Sequence, residues 1–179
     1  GIGRNFTEAL GKALRSLEDP RAPFDFAAPL QDVDDLLERA SKPHDGRIQL
    51  VMQALRAGAT VEQAFQATKI DPWFLDQMSL LLEVAREVED APDLTPELLR
   101  HAKRHGLSDA QIASLRNLST DVVRGVRWAL GIRPVYKSVD TCAAEFAAAT
   151  PYMYSSYDEE TEVPPRTKEA VLILGSGPN

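Results

Sequence analysis

The chain has 179 residues, of which 44% are hydrophobic and 26% are charged, and its formal net charge at pH 7 is −7. These proportions are ordinary for a globular protein with a packed core, and the net acidity argues against a general binder of nucleic acid or anionic membranes. The single cysteine excludes an internal disulfide. Together with the lack of a signal-peptide pattern and of a bilayer-spanning apolar run, it predicts a cytoplasmic protein.

A helix opens the chain. Asn5 is a good N-cap residue, and Glu8 stands where a capping box requires a glutamate. We expect this helix to end near Leu17, the last residue of its apolar stripe. The stripe comprises Phe6, Ala9, Leu10, Ala13, Leu14 and Leu17. Residues 19–30 contain three prolines and no periodicity, which predicts a linker that Phe24 and Phe26 anchor to a neighbouring surface.

A first lobe of short helices is predicted between Asp32 and Asp90. Capping patterns mark where these helices start, and Gly58 provides a left-handed stop. The starts are Asp32, Asp45 as a cap, Thr60 in a capping box with Gln63, and Asp71 followed by Pro72. The last helix is the longest, and its wide apolar stripe makes it the predicted spine of the lobe. The stripe contains Trp73, Phe74, Met78, Leu81, Leu82, Ala85 and Val88.

A second lobe is predicted between Thr95 and Gly131. Its three helices have their own capping residues and end at glycines or turns. The signals are Thr95-Pro96-Glu97 with a stop at Gly106, Ser108 in a capping box with Gln111, and Ser119 or Thr120 as the cap of a helix from Val122 to Leu130. The predicted fold is therefore mainly α, with two small lobes of short helices.

The stretch from Arg133 to Tyr157 is rich in tyrosine, and its centre carries a single charge. Two prolines in it disfavour helix, so we expect an extended linker buried against a larger surface. Cys142 then becomes a buried structural thiol, since no histidine in the linker could activate it as a nucleophile. For the carboxylates Asp140 and Glu145, the sequence favours structural ion pairs over acid–base catalysis, with Arg133, Lys137 or a residue of a neighbouring domain as the partner.

The chain closes with an acidic, proline-containing loop over residues 158–168 and then AVLILGSGPN. Residues 170–174 are continuously apolar, which is typical of a strand in a parallel sheet buried on both faces. Gly175, Ser176 and Gly177 follow it and form a weak candidate for a phosphate-binding, cofactor-binding turn.

Three segments together resemble one family. The linker motifs YKSVDTCAAEF and TPYMYSSY resemble the segment before the second synthetase half in the large subunit of glutamine-hydrolysing carbamoyl-phosphate synthase. GIGRNFTEALGKALRSLE resembles the last helix of that subunit's first synthetase half, and AVLILGSGPN resembles the first strand and loop of its second half, where Ser176 departs from the family's three successive glycines.

The resemblance implies a division into 1–19 as the end of the first synthetase half, 20–165 as the helical oligomerisation domain with its linker, and 166–179 as the start of the second half. It implies a non-catalytic scaffold within an internal piece of a larger enzyme. That enzyme would make carbamoyl phosphate from bicarbonate, glutamine-derived ammonia and two ATP, for arginine and pyrimidine biosynthesis. ATP, Mg²⁺ or Mn²⁺, and K⁺ would bind to the flanking ATP-grasp halves, and none of the family's ligands or catalytic residues falls within this chain.

The implied partners are other copies of the large subunit, the two ATP-grasp halves and the small glutaminase subunit. Self-association would use an apolar helix face, for which Trp73, Phe74 and Met78 are candidates. Their place in a helical stripe nevertheless favours a role in the core for all three.

Two other chemistries deserve comparison with this interpretation. His101 and His105 are four residues apart on one predicted helix and could share a metal, although Lys103 and Arg104 between them repel cations. The favoured interpretation is that both histidines are stabilised by the C-terminal end of the helix dipole.

Residues Leu107 to Leu130 form a helix-turn-helix pattern in a locally basic region, which is typical of DNA-binding regulators. The second helix of this pattern devotes most positions to apolar side chains, so only Arg124 and Arg127 remain to read bases. DNA binding is therefore the alternative hypothesis rather than the preferred one.

Overall fold

The computed structural model describes residues 1–147, 149, 152–171 and 173, and within these ranges it contains eight α-helices and one antiparallel pair of short strands. The mainly α prediction is confirmed. The helices are α1 (Phe6–Arg15), α2 (Val33–Ala40), α3 (Arg47–Arg56), α4 (Val61–Thr68), α5 (Pro72–Asp90), α6 (Pro96–Arg104), α7 (Asp109–Leu115) and α8 (Thr120–Ala129). The strands are β1 (Val135–Ser138) and β2 (Met153–Ser156).

Most helices begin where the capping residues predicted. The capping boxes of Thr60 and Ser108 are both formed, and Ser119 rather than Thr120 caps α8. Each of these side chains satisfies a backbone N–H that has no partner inside the helix.

Two local predictions at helix ends were wrong. The α3 N-cap is Gly46, in a left-handed conformation with φ of +81°, so Asp45 does not cap that helix. Asn5 does cap α1, but the Glu8 carboxylate accepts from the backbone N–H of Arg4 instead of closing a capping box. The predicted end of α1 near Leu17 agrees with the observed end at Arg15 to within two residues.

The helices share one apolar core. Helix α5 packs against α1, α3, α4, α6 and α7, as expected for the predicted spine. The buried apolar residues form one cluster that extends from Leu14 in α1 to Ile132 after α8. The two groups of helices predicted as lobes therefore share their interior. Phe24 and Phe26 are buried in the same cluster, which confirms that they anchor the linker between α1 and α2.

Helix α1 lies very close to the turn after α6. Gly106 in that turn has a φ of +88°, and a Cβ built on it would lie 2.8 Å from the Glu8 Cα and 2.9 Å from the Thr7 carbonyl oxygen. The Asn5 side chain donates to the Arg104 carbonyl, and Arg15 donates to the Gly106 carbonyl. Both bonds satisfy acceptors at the C-terminal end of α6, so α1 and α6 hold each other in place.

The tyrosine-rich linker returns along itself. Strands β1 and β2 pair antiparallel with Val135 opposite Ser156 and Ser138 opposite Met153. The expectation of a buried linker was wrong for its centre, where residues 141–147 form turns and Phe146 is exposed. Low charge predicted burial there, but burial requires a surface that covers the segment, and composition does not provide one.

The polar residues of the linker also differ from expectation. Asp140 makes no ion pair within the described residues and instead accepts from the backbone N–H groups of Cys142 and Ala144. Lys137 pairs with two other carboxylates: its Nζ atom lies 3.9 Å from Asp158 Oδ2 and 3.6 Å from Glu162 Oε1. Cys142 is partly accessible rather than buried, and Glu145 is exposed.

The predicted strand over residues 170–174 is not formed at its described positions, Ala170, Val171 and Ile173. A strand of a parallel sheet needs neighbouring strands to pair its backbone groups, and no described strand lies beside these residues. Leu172, Leu174 and the candidate turn of Gly175, Ser176 and Gly177 lie outside the described residues.

Candidate interaction surface

Three aromatic rings from two helices meet at the protein surface. The ring centroid of Phe6 in α1 lies 5.4 Å from that of Trp73 and 5.2 Å from that of Phe74, both in α5. The Trp73 and Phe74 rings lie 5.0 Å apart in an edge-on arrangement, which is favoured for aromatic pairs. Trp73 is 54% exposed and Phe74 is 42% exposed. We call Phe6, Trp73 and Phe74 the aromatic cluster.

The first turn of α5 explains why these two residues are outside the core. The Asp71 side chain accepts from the Trp73 N–H at 2.8 Å, and Pro72 occupies the first helical position. Leu75 and Met78 then point inward and are buried. The prediction that the whole stripe is core was right for Met78 and wrong for Trp73 and Phe74, because the stripe is wider than the face that the other helices cover.

Four other large apolar side chains, in α8 or within two residues of its ends, are exposed. They are Leu118, Val122, Trp128 and Leu130. The guanidinium carbon of Arg133 lies 4.9 Å from the centroid of the Trp128 ring, as in a cation–π contact. We call these four residues the α8 patch.

Three basic side chains in or near the helix-turn-helix pattern, those of Lys103, Arg116 and Arg127, form hydrogen bonds within the fold. Lys103 and Arg127 both donate to the Asp109 carboxylate, at 2.9 Å and 2.8 Å. Arg116 donates to the carbonyls of Ala91, Glu89 and Pro92 at the end of α5. Arg127 is buried, so of the two predicted base-reading residues only Arg124 is exposed. The arrangement gives the DNA-binding hypothesis no support.

Burial and hydrogen bonding compete in the titration of this ionic cluster, and burial determines the direction of the pKa shift only for Lys103. It lowers the pKa of Lys103 from 10.5 to about 8, although the hydrogen bond and charge of Asp109 oppose the change. Burial would raise the pKa of Asp109, but the hydrogen bonds from Arg127 and Lys103 outweigh it and lower that pKa. The sequence offered no signal for this cluster, because its members come from three different helices.

The two histidines are close together but are engaged with other groups. Their ring centroids lie 4.7 Å apart. His101 Nε2 lies 3.4 Å from Glu87 Oε2, and His105 Nδ1 lies 3.2 Å from the Thr7 hydroxyl oxygen. Burial, and then the neighbouring His101, lower the pKa of His105. Among the described residues, no group of three or more histidine, cysteine or acidic side chains is arranged to hold a metal ion.

Over the described part of the chain, none of the helices combines the length and apolar character needed to cross a bilayer.

The candidate interaction surfaces are the exposed aromatic cluster and the α8 patch. Large exposed aromatic groups are typical of surfaces that bind another protein.

A protein-family model and several large chains of known proteins match this sequence. The family model of the carbamoyl-phosphate synthetase large chain, oligomerisation domain, matches residues 1–131, which contain all eight helices. The carbamoyl phosphate synthase large chain of Kineococcus radiotolerans is 70% identical over 178 residues. Those of Streptomyces griseus and Arthrobacter sp. are 66% and 61% identical over 178 and 179 residues. Each match covers 99% of this chain and 16% of the relative, so the chain spans about one sixth of the length of these relatives.

Proposed function

Because the chain belongs to the family of the carbamoyl-phosphate synthetase large chain oligomerisation domain, we propose that it acts as a non-catalytic scaffold that joins copies of a synthase large chain through its aromatic cluster. The observation that carries this proposal is the exposure of Trp73 and Phe74 beside Phe6. Met78 is buried and has no part in it.

Physical chemistry favours the aromatic cluster as an interface. Aromatic side chains bury about 150–250 Å² each and dominate the energetics of protein interfaces. Trp73 and Phe74 start at the capped first turn of a long helix, so their backbone is already fixed before binding. A rigid aromatic pair loses little conformational entropy on association. In a two-fold dimer, the cluster of one copy would pack against the same cluster of the other.

The relatives' printed name, carbamoyl phosphate synthase large chain, supports a proposal about the wider role. We propose a cytoplasmic parent enzyme that makes carbamoyl phosphate from bicarbonate, glutamine-derived ammonia and two ATP for arginine and pyrimidine biosynthesis. ATP, Mg²⁺ or Mn²⁺, and K⁺ would bind to the flanking ATP-grasp halves, and a small glutaminase subunit would supply ammonia. The boundaries 1–19, 20–165 and 166–179 stay predictions.

Sedimentation equilibrium over a wide concentration range tests the scaffold. The chain should form a concentration-dependent dimer or larger oligomer, and Trp73→Ala should weaken its association at least about tenfold, because truncating an interface hot spot costs about 2 kcal/mol or more. Trp128→Ala is a matched control, since Trp128 is 49% exposed but lies in the α8 patch. A strictly monomeric wild type would refute association by this chain alone, and equal weakening by both variants would refute the choice of surface.

A further inference from the structure

A polar pocket of about 510 Å³ opens between α1, the turn from α6 to α7, the start of α8 and strand β2. Its volume lies in the range of pockets that bind small molecules. Its walls combine apolar surface with a high proportion of charged side chains. The ionisable side chains in them are Glu8, Lys12, Arg15, Lys103, Asp109, Arg124 and Tyr157.

The pocket is locally positive in an acidic protein. Four cationic side chains (Lys12, Arg15, Lys103, Arg124) face two carboxylates (Glu8, Asp109), which leaves two positive charges in excess, whereas the whole chain carries −7. A further cation, Arg127, lies directly behind the wall, 5.5 Å from the Tyr157 ring centroid.

Both carboxylates already have cationic partners within the fold. Glu8 pairs with Lys12 at 3.0 Å and accepts from the Ser156 hydroxyl. Asp109 is shared by Lys103 and Arg127, so one carboxylate neutralises two cations. Within the described residues, neither acid forms an ion pair with Arg15 or Arg124.

Those arginines keep most of their donors unused. A guanidinium has five N–H donors. Within the described residues, Arg15 makes a single hydrogen bond, to the Gly106 carbonyl oxygen. Arg124 lies 3.4 Å from an exposed carboxylate, that of Asp121, one helical turn earlier. Pairs of this exposed kind contribute little, so the Arg124 guanidinium can exchange that partner for a ligand.

We propose that this pocket binds a small phosphate-bearing anion, held between the guanidinium groups of Arg15 in α1 and Arg124 in α8. Paired guanidinium donors match the oxygens of a phosphate, and the surplus of two positive charges matches a dianion. Tyr157 and Thr120 line the same pocket, and each has a hydroxyl group that can donate a hydrogen bond. The remaining volume accommodates a carbon skeleton attached to the phosphate.

Isothermal titration calorimetry at constant ionic strength tests the site. Inorganic phosphate and glycerol 3-phosphate are titrated separately into the wild-type chain, Arg124→Gln and Arg39→Gln. Arg39 is the matched control: its side chain is 51% exposed against 47% for Arg124, and each pairs with an aspartate one turn earlier. Circular dichroism verifies that the variants remain folded.

The expected result is saturable one-to-one binding that Arg124→Gln weakens about tenfold or more, as loss of one charge-assisted hydrogen bond predicts, and that Arg39→Gln leaves unchanged. Tighter binding of glycerol 3-phosphate would identify an organic phosphate as the ligand, and equal binding would identify the phosphate group alone. Arg15→Gln must weaken binding as well. The proposal is overturned if neither anion gives saturable heat, if both surface variants weaken binding equally, or if Arg15→Gln has no effect.

Discussion

Replacing Asp109 by alanine should be among the most destabilising single changes in the helical body. The carboxylate accepts from two buried cations, Lys103 at 2.9 Å and Arg127 at 2.8 Å. Removing one partner of a buried ion pair leaves an uncompensated charge in the interior and typically costs about 3–5 kcal/mol. Here the expected cost is near the lower value, about 3 kcal/mol, because Lys103 also donates to the Leu107 carbonyl and Arg127 to the Ile132 carbonyl.

Equilibrium unfolding in urea measures this cost, and Asp121→Ala provides the control. Both aspartates lie in the first turn of a helix, α7 and α8 respectively, so both lose the same favourable interaction with the helix dipole. Asp121 is exposed and makes only a long surface pair with Arg124, so its removal should cost less than about 1 kcal/mol. If Asp109→Ala costs no more than Asp121→Ala, the cations are not held by this carboxylate and the reasoning fails.

Two more predictions concern Lys103 and Gly106. Burial lowers the pKa of Lys103 to about 8, so between pH 8 and pH 10.5 the unfolded chain binds more protons than the folded chain. The contribution of Lys103 to the free energy of unfolding therefore rises with pH in this range. The wild type should therefore gain about 1–3 kcal/mol of unfolding free energy relative to Lys103→Met between pH 8 and pH 10 in urea titrations, and a pH-independent difference would contradict the assignment. Gly106→Ala should destabilise the fold by about 1–3 kcal/mol more than Gly58→Ala in thermal or urea unfolding, because both glycines have positive φ but only at Gly106 would the new Cβ meet another helix. Equal costs would show that α1 does not pack against the turn after α6 as described.

The sequence predicted the helices well because their signals are local. A cap such as Ser108 acts on a backbone group three residues later, so a short window contains the whole interaction. The family resemblance, based on the linker motifs and on both ends of the chain, is confirmed by the family match over residues 1–131 and by relatives that match 99% of the chain.

The wrong predictions concern what covers a residue, which no local pattern contains. Trp73 and Phe74 continue an apolar stripe, yet only the structure shows that the stripe extends beyond the helices packed on α5. The linker centre was also wrongly predicted to be buried. Its sequence is apolar and nearly uncharged, but that composition does not show whether another part of the molecule covers it. The sequence gives no sign that Asp109, Lys103 and Arg127 belong together, because Arg127 lies 18 positions after Asp109. Their shared burial depends on how three helices pack.

The position of α1 bears on how the chain is divided. The resemblance places residues 1–19 in a neighbouring synthetase half, and that boundary stays a prediction. Physically, α1 is part of the same body as the later helices, because Leu14 lies in the common core and the buried Glu8 carboxylate bonds to Ser156 of β2. The same helix supplies Phe6 to the aromatic cluster and Arg15 to the proposed anion pocket. Removing α1 would therefore expose the core, take Phe6 from the aromatic cluster and take three lining residues, Glu8, Lys12 and Arg15, from the proposed anion pocket.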